Sequence, residues 1–272
     1  MSPQERSWEL QVGQQAYMTY AQRGEIVPRQ SHLYAILDPV ARAIASVADR
    51  QYYTPFHFIL LNEAQPNAFS MPDGNVYVTT GMLSYLRNRD ELAGVICHEV
   101  NHDIHHDMYN IYQAQRRGEA TIAYERAAET NADRSGAYTC AKAGFNPWGM
   151  VWNMRLHRGM AQERQTAGAA DHPSDDQRLA TLTALLTSDT TTFGKFRDDV
   201  ASSAPLGTAG TFAQFGYGSG QAPPYPAQYP SQYPAQYPSQ YPAQYGPGNP
   251  SPLPPQTQPY PPPPLPACYP GC

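Results

Sequence analysis

The chain has 272 residues and a net charge of −5, and all 18 Lys and Arg and all 23 Asp and Glu precede residue 200. A mildly acidic balance without a basic cluster argues against nucleic acid as a partner. About 200 residues can bury one good core, so a single folded domain over 1–205 is expected, followed by a low-complexity segment over 206–272.

In chain order, residues 5–23 and 38–53 read as helices, the second opened by Asp38 as N-cap and Pro39 at the first helical position. Three short strands follow at Phe56–Asn62, Ala68–Met71 and Val76–Thr79, punctuated by Pro66 and by the turn Pro72-Asp73-Gly74-Asn75. Helices are then expected over 90–116 and 119–143, the latter stopped by Gly144 and Pro147, with two more near 147–158 and 174–187. No apolar run approaches the roughly 20 residues of a membrane-spanning helix, and the longest, Phe56 to Leu61, is strand-sized. From about Gly207 the chain holds no charge and ends in a Tyr-Pro-Ala/Ser-Gln repeat starting at Tyr225, Tyr229, Tyr233, Tyr237 and Tyr241. Such a segment cannot offset its ordering entropy and is expected to be a disordered tail, a spacer or a site of protein contact.

The most informative residues are His98-Glu99-Val100-Asn101-His102. Residues four apart share one helix face, so two imidazoles in this spacing can bind one Zn²⁺ while Glu99 points at a metal-bound water. Leu92, Val95, Ile96, Val100 and Ile104 recur at helical spacing around them, which marks a core helix rather than a solvated one. A catalytic zinc takes a third protein ligand, and the downstream Glu129-Thr130-Asn131-Ala132-Asp133 offers Glu129. A metzincin would carry Gly at 105 and His at 108, where this chain has His105 and Met108. A shifted pair, His102 with His106, lacks a Glu after its first His.

Four motifs occur in one order: Asn-Ala-Phe-Ser-Met-Pro-Asp-Gly-Asn-Val-Tyr-Val-Thr-Thr-Gly-Met-Leu at 67–83, HExxH at 98–102, ExxxD at 129–133, and His172-Pro173-Ser174 followed by Arg178. Over roughly residues 5–185 this resembles the gluzincin family that holds the HtpX proteases, the CAAX prenyl endopeptidases and the mitochondrial Oma-type proteases, with the soluble bacterial members most similar. The resemblance implies an α+β, mainly helical zincin-like catalytic domain with a small three-stranded sheet beside the HExxH helix. Where relatives follow HExxH with small apolar residues and an Arg-His pair, this chain has Asp103, Ile104, His105, His106 and Asp107.

Chemistry and resemblance together imply a zinc metalloendopeptidase acting on unfolded or exposed polypeptide, with one Zn²⁺ held by His98, His102 and Glu129 and its water deprotonated by Glu99. His172 falls on the family's His-Pro motif, as an oxyanion donor or as a cap of the helix after it. Asp133, one turn after Glu129, is expected to accept a hydrogen bond from a ligand imidazole, and Arg178 to hold carboxylates in place. An edge strand at Ala68–Met71 or Val76–Thr79 would add an extended substrate as a further strand, with Asn67 and Phe69 beside it. The alternative is a latent or inactive zinc-binding scaffold whose Pro/Tyr-rich tail is an interaction module.

Cys97 and Cys140 fall in expected helices and read as buried apolar-like side chains, whereas Cys268 and Cys272 sit at the end of the tail, free to pair with each other or another chain. Met1 is not followed by a charged n-region and an apolar h-region. The expectation is a cytoplasmic chain by default, or a periplasmic one if a leader has been removed.

Overall fold

The computed structural model describes residues 1–164 and 175–206, without the side chains of 158–164 and Asp175. The tail expected over 206–272, with Cys268 and Cys272, lies outside the described residues apart from Leu206. Among the described residues no helix is long and apolar enough to cross a membrane.

Helix α1 (Pro3–Gln22) opens on a capping box in which Ser2 and Glu5 satisfy each other's backbone N–H, with Pro3 at the first helical position. Helix α2 (Tyr34–Ala48) starts four residues earlier than the sequence predicts. Asp38 does not cap it: both carboxylate oxygens are taken by Arg29, at 2.8 and 3.1 Å. The first turn is wound with i→i−3 bonds from Tyr34, Ala35 and Ile36, and Pro39 follows inside the helix, where its missing N–H costs one bond.

The sheet consists of β1 (His57–Leu61), β2 (Ala68–Met71) and β3 (Asn75–Thr79) in the order β1-β3-β2. β1 runs parallel to β3 with Ile59 opposite Tyr77, and β2 runs antiparallel to it with Phe69 opposite Tyr77. β3 is therefore central, and the alternative edge at Val76–Thr79 is excluded by this pairing; Ala68–Met71 is an edge. The other edge, β1, is covered by residues 25–27, through Val27 N–H to Leu60 O (2.9 Å) and Asn62 N–H to Glu25 O (2.7 Å). Between β2 and β3, Asp73 and Gly74 both take positive φ of 73°. α1 packs so closely here that a Cβ on Gly13 would come within 2.1 Å of the Pro72 carbonyl, so only glycine fits.

After β3 come α3 (Thr80–Tyr85), which the sequence reading omitted, α4 (Arg89–Ile104), α5 (Asp107–Arg116), α6 (Ile122–Ala143), α7 (Trp148–Arg164), α8 (Asp175–Ser188) and α9 (Thr190–Phe193). The two faces of the sheet bury different helices. Phe58, Leu60, Ala68, Val76 and Val78 pack with Leu37 and Ile44 of α2 and Leu92, Ile96 and Val100 of α4. Ile59, Leu61, Met71 and Tyr77 pack with Val12 and Ala16 of α1. α4 is buried nearly all round, against the sheet, α2, α6 and α7. Its N-terminus is capped by Asn88 Oδ1, which accepts from Glu91 N–H at 2.9 Å.

Two expectations are corrected here. The helix predicted over 90–116 breaks after Ile104, with His106 in the left-handed region at φ 56°. Neither Gly nor Pro marks the break, and tertiary contacts of the flanking side chains, described below, hold it. Cys97 and Cys140 are fully buried as expected but form a disulfide between α4 and α6, with their Cα atoms 5.8 Å apart.

Candidate metal centre

α4 and α6 run past each other at very short range, since a Cβ on Gly136 would lie 3.1 Å from the Cys97 carbonyl. Asn101 Nδ2 donates to Cys97 O (2.7 Å) on its own helix and to Thr139 Oγ1 (3.1 Å) across the gap. This crossing brings the HExxH face of α4 up to Glu129 and Asp133 of α6.

His98 Nε2 and His102 Nε2 face each other at 3.0 Å. Glu129 reaches both, with Oε2 3.5 Å from His98 Nε2 and Oε1 3.6 Å from His102 Nε2. The three ligand atoms lie within 4.8 Å of one another, a spacing suited to one ion. The far side of each ring meets a carboxylate: His98 Nδ1 is 2.9 Å from Asp133 Oδ1, and His102 Nδ1 is 2.8 Å from Asp107 Oδ2. A carboxylate at Nδ1 draws the ring proton there. With the remaining proton displaced on metal binding, two Nε2 lone pairs and the Glu129 carboxylate converge on one point, the donor set a tetrahedral zinc with an open position takes. The residues present fit that ion.

Arg178 of α8 closes the far side. Its Nε and Nη2 donate to the two oxygens of Asp133 at 2.8 Å each, and Nη1 lies 2.9 Å from Glu129 Oε2. Burial by itself would raise the pKa of both carboxylates, but hydrogen bonds and charges from His98 and Arg178 outweigh it, lowering Asp133 and holding Glu129 well below the usual carboxylate range. Burial would likewise lower His98, yet Asp133 and Glu129 together push it up to about 10. The pocket thus stabilises positive charge at the Nε2 side of the rings.

Glu99 is 2% exposed, and its Oε2 accepts from the backbone N–H of Ser70 on β2 at 3.0 Å. Burial raises its pKa, against the lowering effect of His98 and His102. Asn67 O accepts from Thr79 N–H (2.9 Å), so alternation along β2 turns the Ser70 backbone away from β3 and towards α4. Glu99 therefore sits between the two histidines and the sheet edge.

Asn67 is 8% exposed, and its N–H donates to Thr79 Oγ1 at 2.9 Å. Phe69 stacks on Tyr77 with centroids 5.0 Å apart and leans on Tyr20 of α1. Those contacts lie in the sheet and on its α1 face, away from the three ligand candidates. His172 lies outside the described residues.

Two features of the site escaped the sequence reading. Asp107, the partner of His102, stands in the segment that departs from the relatives. Beside it His106 Nδ1 lies 2.8 Å from Glu9 Oε1, and Tyr52 donates its hydroxyl to Glu9 Oε2 at 2.8 Å. His106 is thereby turned away from the centre and ties the α4–α5 corner to α1.

Residues 29–123 match peptidase family M48, a span that includes α4 and its HExxH but ends before Glu129. The beta-barrel assembly-enhancing protease of Yersinia pestis is 27% identical over 165 residues, which cover 47% of this chain and 34% of that protein. That of Escherichia coli is 24% identical over 163 residues, again 47% of this chain and 34% of the relative. The chain thus spans about a third of the length of these relatives. The family match, the protease relatives and the motifs in their order agree: residues 29–123 of this chain, with the sheet and the HExxH helix, are similar to peptidase family M48.

Proposed function

We propose that this chain is a zinc metalloendopeptidase with His98, His102 and Glu129 as metal ligands and Glu99 as general base. The observation that carries this reading is the pair of imidazole Nε2 atoms 3.0 Å apart, each ring backed by a carboxylate at Nδ1 and both facing Glu129. Zinc, when bound, supplies the Lewis acidity that lowers the pKa of water to about 7 and polarises the scissile carbonyl. The protein's own groups do the rest. Asp133 and Asp107 keep the ring protons on Nδ1, so that both Nε2 lone pairs remain available to the metal. Arg178 holds Glu129 ionised and in place. Glu99, with its carboxylate anchored on Ser70 N–H and its pKa raised by burial, takes a proton from the attacking water and carries it to the leaving amine.

Substrate recognition follows from the sheet order. β2 is an edge strand of the sheet next to Glu99, so an extended polypeptide can pair with the backbone groups that Glu99 leaves open, with little demand on side-chain sequence. Unfolded or exposed segments present such a strand, and the protease relatives support a polypeptide substrate. We assign catalysis to a domain over residues 1–205 and leave 206–272 as a spacer or protein-contact tail. His172 is retained as the candidate oxyanion donor.

The test is cleavage of unfolded casein by the full chain. Hydrolysis that stops with a zinc chelator and returns with added Zn²⁺ supports the reading, and hydrolysis indifferent to the chelator overturns it.

A further inference from the structure

The ligands of the candidate centre come from two helices that are far apart in the chain, and one covalent bond ties these helices beside the site. Cys97 immediately precedes His98. On α6, Glu129, Asp133, Gly136 and Cys140 follow one another at intervals of four, three and four, so they form a single stripe along the helix. That stripe faces α4 throughout: Glu129 and Asp133 meet the histidines, Gly136 lets the backbones approach, and Cys140 is bonded to Cys97. The Asn101 side chain, bridging Cys97 O and Thr139 Oγ1, pins the same level of the crossing.

Without the bond, nothing covalent within those 43 residues fixes how far α6 can slide along α4. A shift of one ångström matters, because Glu129 must meet both Nε2 atoms, now 3.5 and 3.6 Å away, while Asp133 stays on His98 Nδ1. We propose that the Cys97–Cys140 disulfide is a positioning element of the metal centre, setting the register of α6 on α4 that completes the zinc ligand set. The inference rests on the zinc reading above. Both cysteines are fully buried, so the bond forms while the chain folds and is shielded from reductants afterwards. It forms by exchange with a dithiol-disulfide donor. One cysteine thiolate attacks the donor disulfide and the second displaces the donor from the mixed disulfide; the donor leaves as a dithiol with the two electrons, and the two cysteine protons pass to it or to solvent.

The experiment compares the full chain with Cys97→Ala/Cys140→Ala and with Cys97→Ala/Cys140→Val, which refills part of the lost volume. Zinc affinity is measured by competition with a chromophoric chelator, and the visible spectrum is recorded with Co²⁺ in place of zinc, below the melting temperature of each protein. Zinc binding weaker by about tenfold or more in both variants, with an altered cobalt spectrum, is the expected result. Unchanged affinity and spectrum, even with a lower melting temperature, overturn the proposal and leave the bond a general staple. Two free thiols at Cys97 and Cys140 in the denatured, non-reduced Cys268→Ser/Cys272→Ser chain also overturn it. If the unaltered chain binds neither zinc nor cobalt, the zinc reading itself falls, an outcome distinct from equal binding by all three proteins.

Discussion

Asp107 holds His102 from behind: its Oδ2 lies 2.8 Å from His102 Nδ1, although the two residues are separated by a helix end and by a histidine in the left-handed conformation. A continuous helix would carry Asp107 a turn and a half beyond His102, on another face. The break at His105–His106 folds the chain back so that the carboxylate meets the ring. Left-handed backbone at a residue other than glycine costs roughly 1–2 kcal/mol. The contacts that Asp107 and His106 make on either side are what offset it.

From this follows a prediction for Asp107→Ala. The ring of His102 loses the group that orients it and keeps its proton on Nδ1, so zinc affinity falls about 10–100-fold while the fold survives. Chelator competition together with far-UV circular dichroism checks both halves, and wild-type affinity in a folded variant counts against the role assigned.

Glu129→Ala is expected to act more severely, because it would reduce the three proposed protein ligands to two. The purified variant is expected to carry little or no zinc, read by elemental analysis, and to cleave no casein. A fully loaded variant would mean that another group completes the site.

Arg178→Met leaves the buried carboxylates of Glu129 and Asp133 without their guanidinium. Breaking a buried charge pair by removing one partner costs about 3–5 kcal/mol, and bound zinc, which neutralises part of the same charge, should soften the loss. Chemical denaturation of the zinc-free and zinc-loaded variant is expected to show the larger destabilisation without the metal. Equal losses in both states contradict the coupling.

The link between His106 and Glu9 makes one contribution to stability depend on pH. The hydrogen bond that His106 donates to Glu9 raises the His106 pKa above its ordinary value of 6.5, with burial acting in the opposite direction. A raised folded-state pKa means that the contribution is fully present below about pH 6.5 and is lost as pH rises through the folded value. Wild type should therefore exceed His106→Gln in melting temperature most at about pH 6, and the gap should narrow towards about pH 9. A gap that widens with pH would reverse the assignment.

Much of the site could be read along the chain because its parts are local. HExxH places two imidazoles and a carboxylate on adjoining faces of one helix, and ExxxD does the same for Glu129 and Asp133. The Pro72-Asp73-Gly74-Asn75 turn and the flanking β-branched and aromatic residues located all three strands within a residue or two. What stayed hidden depends on contacts between distant segments. Which strand lies at the edge is decided by β3 pairing on both sides. The start of α2 depends on Arg29 taking the carboxylate expected to cap it. The α4–α5 break has no Gly or Pro to announce it, since its support comes from His102 and from Glu9 of α1. The disulfide joins cysteines 43 residues apart whose burial alone was foreseeable.

In the proposed mechanism Glu99 of the HExxH is the base and the two histidines are ligands, and Glu99→Gln separates these roles. The amide keeps the size of the side chain and an oxygen to accept from Ser70 N–H, but it cannot take a proton. Metal content and casein cleavage are measured on the same preparation. One zinc per chain with no detectable hydrolysis is the predicted result; hydrolysis at the wild-type rate by the zinc-loaded variant would contradict the mechanism.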